Sequence, residues 1–252
     1  MTNIILSGCM GRMGKAITNI VDAAEDATIV CGFDVADGNC GYPVYRDYAS
    51  LCVDADVIID FSHPSNLTNL LTFAKKNKLP VVMATTGLTQ EQKAELLEAS
   101  HEIPVFFSAN MSLGINLLIR LAKQAAKVLE GSFDIEIIEK HHNKKLDAPS
   151  GTALAIADGI AESLSDAPNY IYERHSVRQE RAKNEIGLHA VRGGTIVGEH
   201  DVLFAGPDEV ITLSHSAQSR EVFAQGAVRA ALFLKGKPKG FYSMDDLFKD
   251  LL

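Results

Sequence analysis

The chain contains no apolar stretch approaching the roughly 18 residues that a membrane-spanning helix requires. Its opening, MTNIILSGCMGRMG, lacks a basic segment followed by a long apolar run. Membrane insertion and secretion are therefore not expected, and a cytoplasmic location is. Cysteine is sparse: Cys9, Cys31, Cys40 and Cys52 all fall in the first quarter, with no C-x-x-C pair and no zinc-type spacing. Reduced thiols and no bound metal are the expectation. Basic residues are outnumbered, 24 Lys and Arg against 32 Asp and Glu, giving a formal net charge of -8. Nucleic-acid binding normally rests on a basic domain, so no nucleic-acid partner is expected, and a small anionic ligand fits better. No internal repeat or low-complexity linker interrupts the 252 residues, whose 46% hydrophobic content can bury one large or two modest cores.

What is present is, first, alternation. Residues 3–6, 27–33, 57–61, 81–84 and 105–108 read as short β-rich strands, separated by helical patterns at 13–24, 65–76 and 89–99. Thr89 with Gln92 three positions on resembles a capping box. Such alternation predicts an α/β, doubly wound parallel sheet with helices on both faces. After about residue 110 the pattern changes. A helix over 114–130 leads to a period-two strand at 133–137, then to a basic loop, a helix over 151–164, and strands near 187–192, 195–204 and 209–216. Turn signals Arg192-Gly193-Gly194 and Gly206-Pro207-Asp208 separate the last three. This predicts a second, α+β domain on a mixed or antiparallel sheet. The expected division is 1–110 for a dinucleotide-binding domain and 111–219 for a substrate domain, with 220–252 returning to the first.

Directly after the first strand comes Gly8-Cys9-Met10-Gly11-Arg12-Met13-Gly14. Glycines at such a strand-to-helix turn allow tight turning, close backbone approach to a pyrophosphate and helix packing, while the helix start supplies N–H donors. Asp34 ends the second strand about 20 residues further on, where a carboxylate can accept from both ribose hydroxyls. It would repel a 2′-phosphate, and Val35 offers no guanidinium to bind one, so NADH is expected over NADPH, with Arg12 and Lys15 near enough to weaken that preference. Ala84-Thr85-Thr86-Gly87 and Ser108-Ala109-Asn110-Met111 follow two further strands, at the edge where doubly wound sheets bind ligands.

Against the acidic background stands EKHHNKKLDAPSGTA, residues 139–153. Lys140, His141, His142, Lys144 and Lys145 crowd together, and Pro149-Ser150-Gly151-Thr152 opens a helix. Such a cluster points to a negative ligand. With a nicotinamide the reaction is hydride transfer, which needs orientation, charge neutralisation and one proton. Either His141 or His142 can supply the proton. Lys145 can stabilise charge developing on the substrate, and Gly151 and Thr152 can hold a carboxylate. Lys144 reads as solvated, and Asp147 as orienting Lys145 or shaping the turn. His63, His101, His175, His189, His200 and His215 have no comparable neighbourhood.

Together with DFSHP at 60–64, SANMSLG at 108–114 and GEHDVLF at 198–204, these motifs make nearly the whole chain resemble the 4-hydroxy-tetrahydrodipicolinate reductase (dihydrodipicolinate reductase) family of lysine and diaminopimelate biosynthesis. The resemblance implies a Rossmann-like cofactor domain, a smaller substrate and oligomerisation domain, and a homotetramer. It implies that hydride goes to ring C4 of a dicarboxylate substrate. His141 would be the proton donor, Lys145 the second catalytic residue, His142 a substrate contact, and Gly151 and Thr152 the carboxylate cradle. Gly8, Cys9, Met10, Gly11, Arg12, Met13, Asp34, Ala84, Thr85, Thr86, Ser108, Ala109, Asn110 and Met111 would contact NADH or NADPH. Ala84 departs from the glycine frequent in the family, and Val35 from the arginine of members that use NADPH. Two other readings share features with this one: another dicarboxylate dehydrogenase, such as one acting on aspartate, and a non-catalytic NAD-sensing protein.

Overall fold

The computed structural model describes residues 1–50 and 54–251, so Cys52 lies outside the described residues. In chain order the elements are β1 (Thr2–Ser7), α1 (Arg12–Asp22), β2 (Ala27–Phe33), β3 (Val44–Tyr45), β4 (Val57–Asp60), α2 (Leu67–Asn77), β5 (Val81–Met83), α3 (Gln90–Ala99) and β6 (Pro104–Phe107). They continue with α4 (Leu113–Leu129), β7 (Asp134–His141), α5 (Gly151–Ala161), β8 (Asn169–Ile171), β9 (Glu185–Arg192), β10 (Gly198–Ala205), β11 (Val210–Ala217), α6 (Glu221–Leu234), β12 (Gly240–Tyr242) and α7 (Met244–Leu251). The chain divides into two compact units, Met1–Leu113 with Glu221–Leu252, and Gly114–Arg220.

The first unit holds a parallel sheet in the order β12-β6-β5-β4-β1-β2-β3. From β1 the order runs one way through β2 and the other way through β4, which makes the carboxyl ends of β1 and β4 a topological switch point. Side-chain alternation explains how both faces become buried. Ile4 and Leu6 of β1 pack with Ile17 and Val21 of α1 and with Ala224, Ala227 and Ala231 of α6. Ile5, between them, packs with Leu70, Leu71 and Ala74 of α2 and Leu96 of α3 on the other face. The doubly wound, Rossmann-like sheet expected from the alternation is present. So is the capping box: Thr89 Oγ1 accepts from Gln92 N–H at 3.2 Å and Gln92 Oε1 from Thr89 N–H at 2.9 Å.

The second unit holds a mixed sheet in the order β11-β10-β7-β9-β8, antiparallel from β11 to β7 and parallel from β7 to β8. Ile115, Leu118 and Ala122 of α4 and Ile156, Ala157 and Ile160 of α5 bury one face against Ile135, Ile137, Leu188, Val202 and Phe204. Along β7 the buried positions are Ile135, Ile137, Glu139 and His141, so the inward stripe changes from apolar to polar toward the strand's carboxyl end. The strand runs four residues beyond the expected 133–137, because β9 and β10 pair with it on both sides as far as Lys140. Lys140 and His141 therefore belong to a central strand, and the basic loop begins only at His142.

Candidate active site

In the first unit every residue expected at the cofactor sits at the carboxyl edge of the sheet. Gly8 turns with φ +82°, and a methyl added there would lie 2.5 Å from Phe61 O. At Gly14 a methyl would lie 2.4 Å from Gly8 O. These two glycines are required by the fold itself, one by its backbone conformation and its approach to β4, the other by the seating of α1 on the loop. Gly11 is different. It is exposed, it caps α1 without a side-chain hydrogen bond, and a methyl on it would meet only Gly8 O, at 3.3 Å.

Asp34 faces this loop: its Oδ2 accepts from Met10 N–H at 2.9 Å and its Oδ1 from Ala36 N–H at 3.0 Å. Gly8, Met10, Gly11, Asp34 and Val35 line a cleft of about 780 Å³, an ordinary size for a ligand site. A tight glycine turn at the start of α1, beside a fixed carboxylate, fits the pyrophosphate and ribose of a dinucleotide. Arg12 is exposed, Met13 half-buried, and Cys9 and Met111 are buried in the core, so the last two can offer a ligand only backbone atoms.

Thr85 is tied down by a residue that sequence reasoning gave no role. Asp60, at the end of β4 and fully buried, accepts from Thr85 Oγ1 and from Ser62 Oγ, both at 2.6 Å. Burial pushes its carboxyl above the usual range despite these hydrogen bonds. Ala84 is buried beside it and Thr86 is exposed. The 108–111 turn closes on itself, Ser108 Oγ donating to Asn110 O at 2.7 Å, with Ala109 exposed at its tip. A second residue that went unnoticed is Arg46. Pairing of β3 with β2 brings it to the Asp34 cleft, where it forms an ion pair with Asp37 at 2.6 Å.

In the second unit the basic segment does not act as one cluster. Lys140 points away from the buried stripe and pairs with Glu199 at 3.1 Å and Asp201 at 3.0 Å across β10. Lys144 is exposed. Lys145 pairs with Asp147 at 2.9 Å, and that hydrogen bond holds the Asp147 carboxyl below its usual range. His142 is half-buried where the chain leaves β7, and the Ala148–Pro149 peptide is cis. Ser150 caps α5, its Oγ accepting from Ala153 N–H at 3.1 Å, so Gly151 and Thr152 occupy the first helical turn as expected.

His141 is surrounded by groups of the buried stripe. Its Nδ1 lies 2.6 Å from Glu139 Oε2. Gly198 of β10 faces the other side of the ring, where an added methyl would be 3.1 Å from His141 Nε2. The His200 ring meets it edge to face, centroids 5.2 Å apart, and His200 Nε2 lies 3.2 Å from Ser150 Oγ. Burial pushes His200 down to about 4, helped by electrostatic interaction with the neighbouring His141, His215 and Lys145. Dismissal of His200 as lacking a neighbourhood is thus corrected. Alternation was the available signal: Gly198, His200, Val202 and Phe204 share one buried face of β10. Among the described residues no group of three or more His, Cys, Asp or Glu is placed to hold a metal ion. Among the described residues no helix is long and apolar enough to cross a membrane.

Two family models match the chain, dihydrodipicolinate reductase, N-terminus, over residues 2–111 and dihydrodipicolinate reductase, C-terminus, over residues 114–248. A 4-hydroxy-tetrahydrodipicolinate reductase of Caldanaerobacter subterraneus subsp. tengcongensis is 56% identical over 249 residues, covering 99% of both chains. That of Clostridium novyi is 49% identical over 250 residues, again 99% of both. Among solved structures, dipicolinate-bound dihydrodipicolinate reductase from Paenisporosarcina sp. TG-14 aligns with TM-score 0.81 and 26% identity, over 96% of this chain and 97% of that one. Scyllo-inositol dehydrogenase from Lactobacillus casei, with bound NAD(H), aligns at TM-score 0.60 and 13% identity over 99% and 93%, a likeness of fold alone.

Proposed function

The chain belongs to the dihydrodipicolinate reductase family, and from that membership we infer that it reduces 4-hydroxy-tetrahydrodipicolinate with NAD(P)H, a step of lysine and diaminopimelate biosynthesis. The observation that carries the reading to particular residues is the polar end of the buried stripe on β7 and β10. It holds a histidine fixed at one ring nitrogen, immediately beside the capped start of α5.

His141 donates the proton to the substrate ring from Nε2, since Nδ1 is engaged by Glu139. Gly151 and Thr152 hold a substrate carboxylate on the first-turn N–H groups of α5 and the Thr152 hydroxyl. His142 adds a contact to the same dianionic substrate. Lys145, kept close by Asp147, neutralises the negative charge that develops as the ring accepts hydride. A bound nicotinamide supplies that hydride, to ring C4. In the first unit Gly8 to Met13, Asp34, Ala84 to Thr86 and Ser108 to Met111 bind and orient the dinucleotide, with Asp60 stiffening the Thr85 contact from beneath. Asp34 favours NADH over NADPH by accepting from the ribose hydroxyls and repelling a 2′-phosphate. The enzyme works in the cytoplasm. It assembles as a homotetramer, supported by the second sheet, where Ile138, Lys140, Asp201 and Leu203 stay half-exposed on the face away from α4 and α5.

The test is oxidation of NADH and of NADPH with substrate generated from pyruvate and aspartate semialdehyde, set against aspartate dehydrogenation in the reverse sense. Turnover with the cyclic substrate supports the reading. Turnover with aspartate, or tight NADH binding without turnover on either, points to the amino-dicarboxylate dehydrogenase or to the NAD-sensing protein. Light scattering of the purified enzyme tests the tetramer.

A further inference from the structure

One buried carboxylate in the second unit touches everything the proton step needs. Glu139 is inaccessible to solvent, yet each of its oxygens is doubly engaged. Oε1 accepts from Ser150 N–H at 3.0 Å and from Arg192 Nη2 at 2.6 Å. Oε2 takes Arg192 Nη1 at 2.7 Å and His141 Nδ1 at 2.6 Å. The guanidinium is itself anchored, Nη2 donating to Asp147 O at 2.6 Å. A buried carboxylate with a bidentate guanidinium partner remains ionised. Burial alone would raise Glu139, but the hydrogen bonds from Arg192, His141 and Ser150 outweigh it and hold the carboxyl below its usual range.

An ionised carboxylate is acceptor only, so the His141 nitrogen that faces it must carry the hydrogen in both the neutral and the charged ring. Proton exchange with a substrate is thereby confined to Nε2. The opposite side of the same carboxylate grips the backbone of Ser150, the cap of the helix whose first turn holds Gly151 and Thr152.

We propose that Glu139, locked by Arg192, is the positioning residue of the reaction: it fixes the tautomer and ring plane of His141 and ties that ring to the start of α5, so that proton donor and substrate-carboxylate cradle keep one distance. The proposal rests on His141 being the proton donor, as argued above. Glu139 and Arg192 act through that ring and touch no substrate. Ser150 contributes twice, as cap and as the grip on the carboxylate, and Gly198 contributes by leaving room beside Nε2.

The experiment combines nitrogen NMR of histidine-labelled full-length protein, at a pH where imidazole is neutral, with kinetics of three variants. Wild type should show the Nδ1–H tautomer at His141, assigned by the loss of its signal in His141→Gln. Glu139→Gln should release that tautomer to a mixture and lower kcat by roughly 10- to 100-fold, part of the roughly 10²- to 10⁴-fold that a positioned acid supplies. NADH affinity should be unchanged. Arg192→Gln should move both readouts the same way and by less. An Nε2–H tautomer at His141 in the wild type overturns the proposal without need of any variant, as does wild-type kcat in a folded Glu139→Gln. If His141→Gln itself keeps full turnover, the assignment of the proton donor fails first. If His141→Gln is inactive while Glu139→Gln is not, only the positioning role fails.

Discussion

His200 and His141 meet edge to face at 5.2 Å on the buried side of the second sheet, where burial pushes the His200 pKa down. In the unfolded chain His200 binds its proton near the ordinary 6.5, whereas in the fold it does so only at about 4. Between those values the unfolded state holds the extra proton. Stability from this residue is therefore complete above about pH 6.5 and declines as pH falls toward about 4. His215, paired with His200 from β11, is also lowered by burial and adds in the same sense. Urea midpoints measured through that window should fall steadily, and His200→Gln should flatten the fall. An unchanged slope in the variant would assign the acid sensitivity to carboxylates instead.

Removing the acid and removing the charge neutraliser should look different. His141→Gln keeps the size and one polar atom but donates no ring proton, and kcat should drop by roughly 10²- to 10⁴-fold with NADH binding intact. Lys145→Ala removes the charge proposed to serve bound substrate as well as the developing negative charge, so KM should rise while kcat falls. Steady-state kinetics with a separate NADH titration check both; normal kinetics in either variant removes that residue from the site.

Asp34 and Arg46, twelve positions apart, are brought to one cleft by β3, and the proposed cofactor preference predicts opposite effects of removing them. Asp34→Ala should weaken NADH more than NADPH, because the lost carboxylate is the group proposed to accept from the ribose hydroxyls and to repel a 2′-phosphate. Arg46→Ala should do the reverse, since a guanidinium able to leave Asp37 is the cation the cleft offers to a 2′-phosphate. Dissociation constants for the two cofactors in the two variants give the answer directly. Equal losses for both cofactors would take the residue concerned out of ribose recognition.

The sequence pattern made the first unit legible because its strands are apolar and its turns carry glycine and capping chemistry. It hid β3, β8 and β12, each of two or three residues, since so short a strand has no period to read. The basic segment was legible as a site but not as an arrangement. Charge composition placed Lys140 with the loop, while pairing on both sides of β7 placed it on a central strand, facing Glu199 and Asp201. Glu139 and Asp60 stood inside quoted motifs but received no role of their own, for a common reason. Each lies at or near the carboxyl end of its strand, where a carboxylate reads as the edge of solvent, and only the tertiary neighbours Arg192, Ser62 and Thr85 show that it is buried and partnered.

The three glycines of the first loop should separate into those the fold needs and the one the ligand needs. Gly8→Ala forces a side chain into φ +82° and a methyl to within 2.5 Å of Phe61 O. The backbone conformation alone costs about 1–2 kcal/mol, and the clash adds to it, so stability and NADH affinity should fall together. Gly14→Ala should behave alike, its methyl pressed 2.4 Å from Gly8 O. Gly11→Ala meets only a 3.3 Å neighbour on an exposed turn, which a small shift relieves. Its unfolding midpoint should stay near wild type while the NADH dissociation constant rises, because the methyl stands where, on the proposed reading, a pyrophosphate comes close to the start of α1. Thermal unfolding and NADH titration on the three variants separate the two roles, and unaltered NADH binding in a folded Gly11→Ala would mean that the pyrophosphate does not lie over this turn.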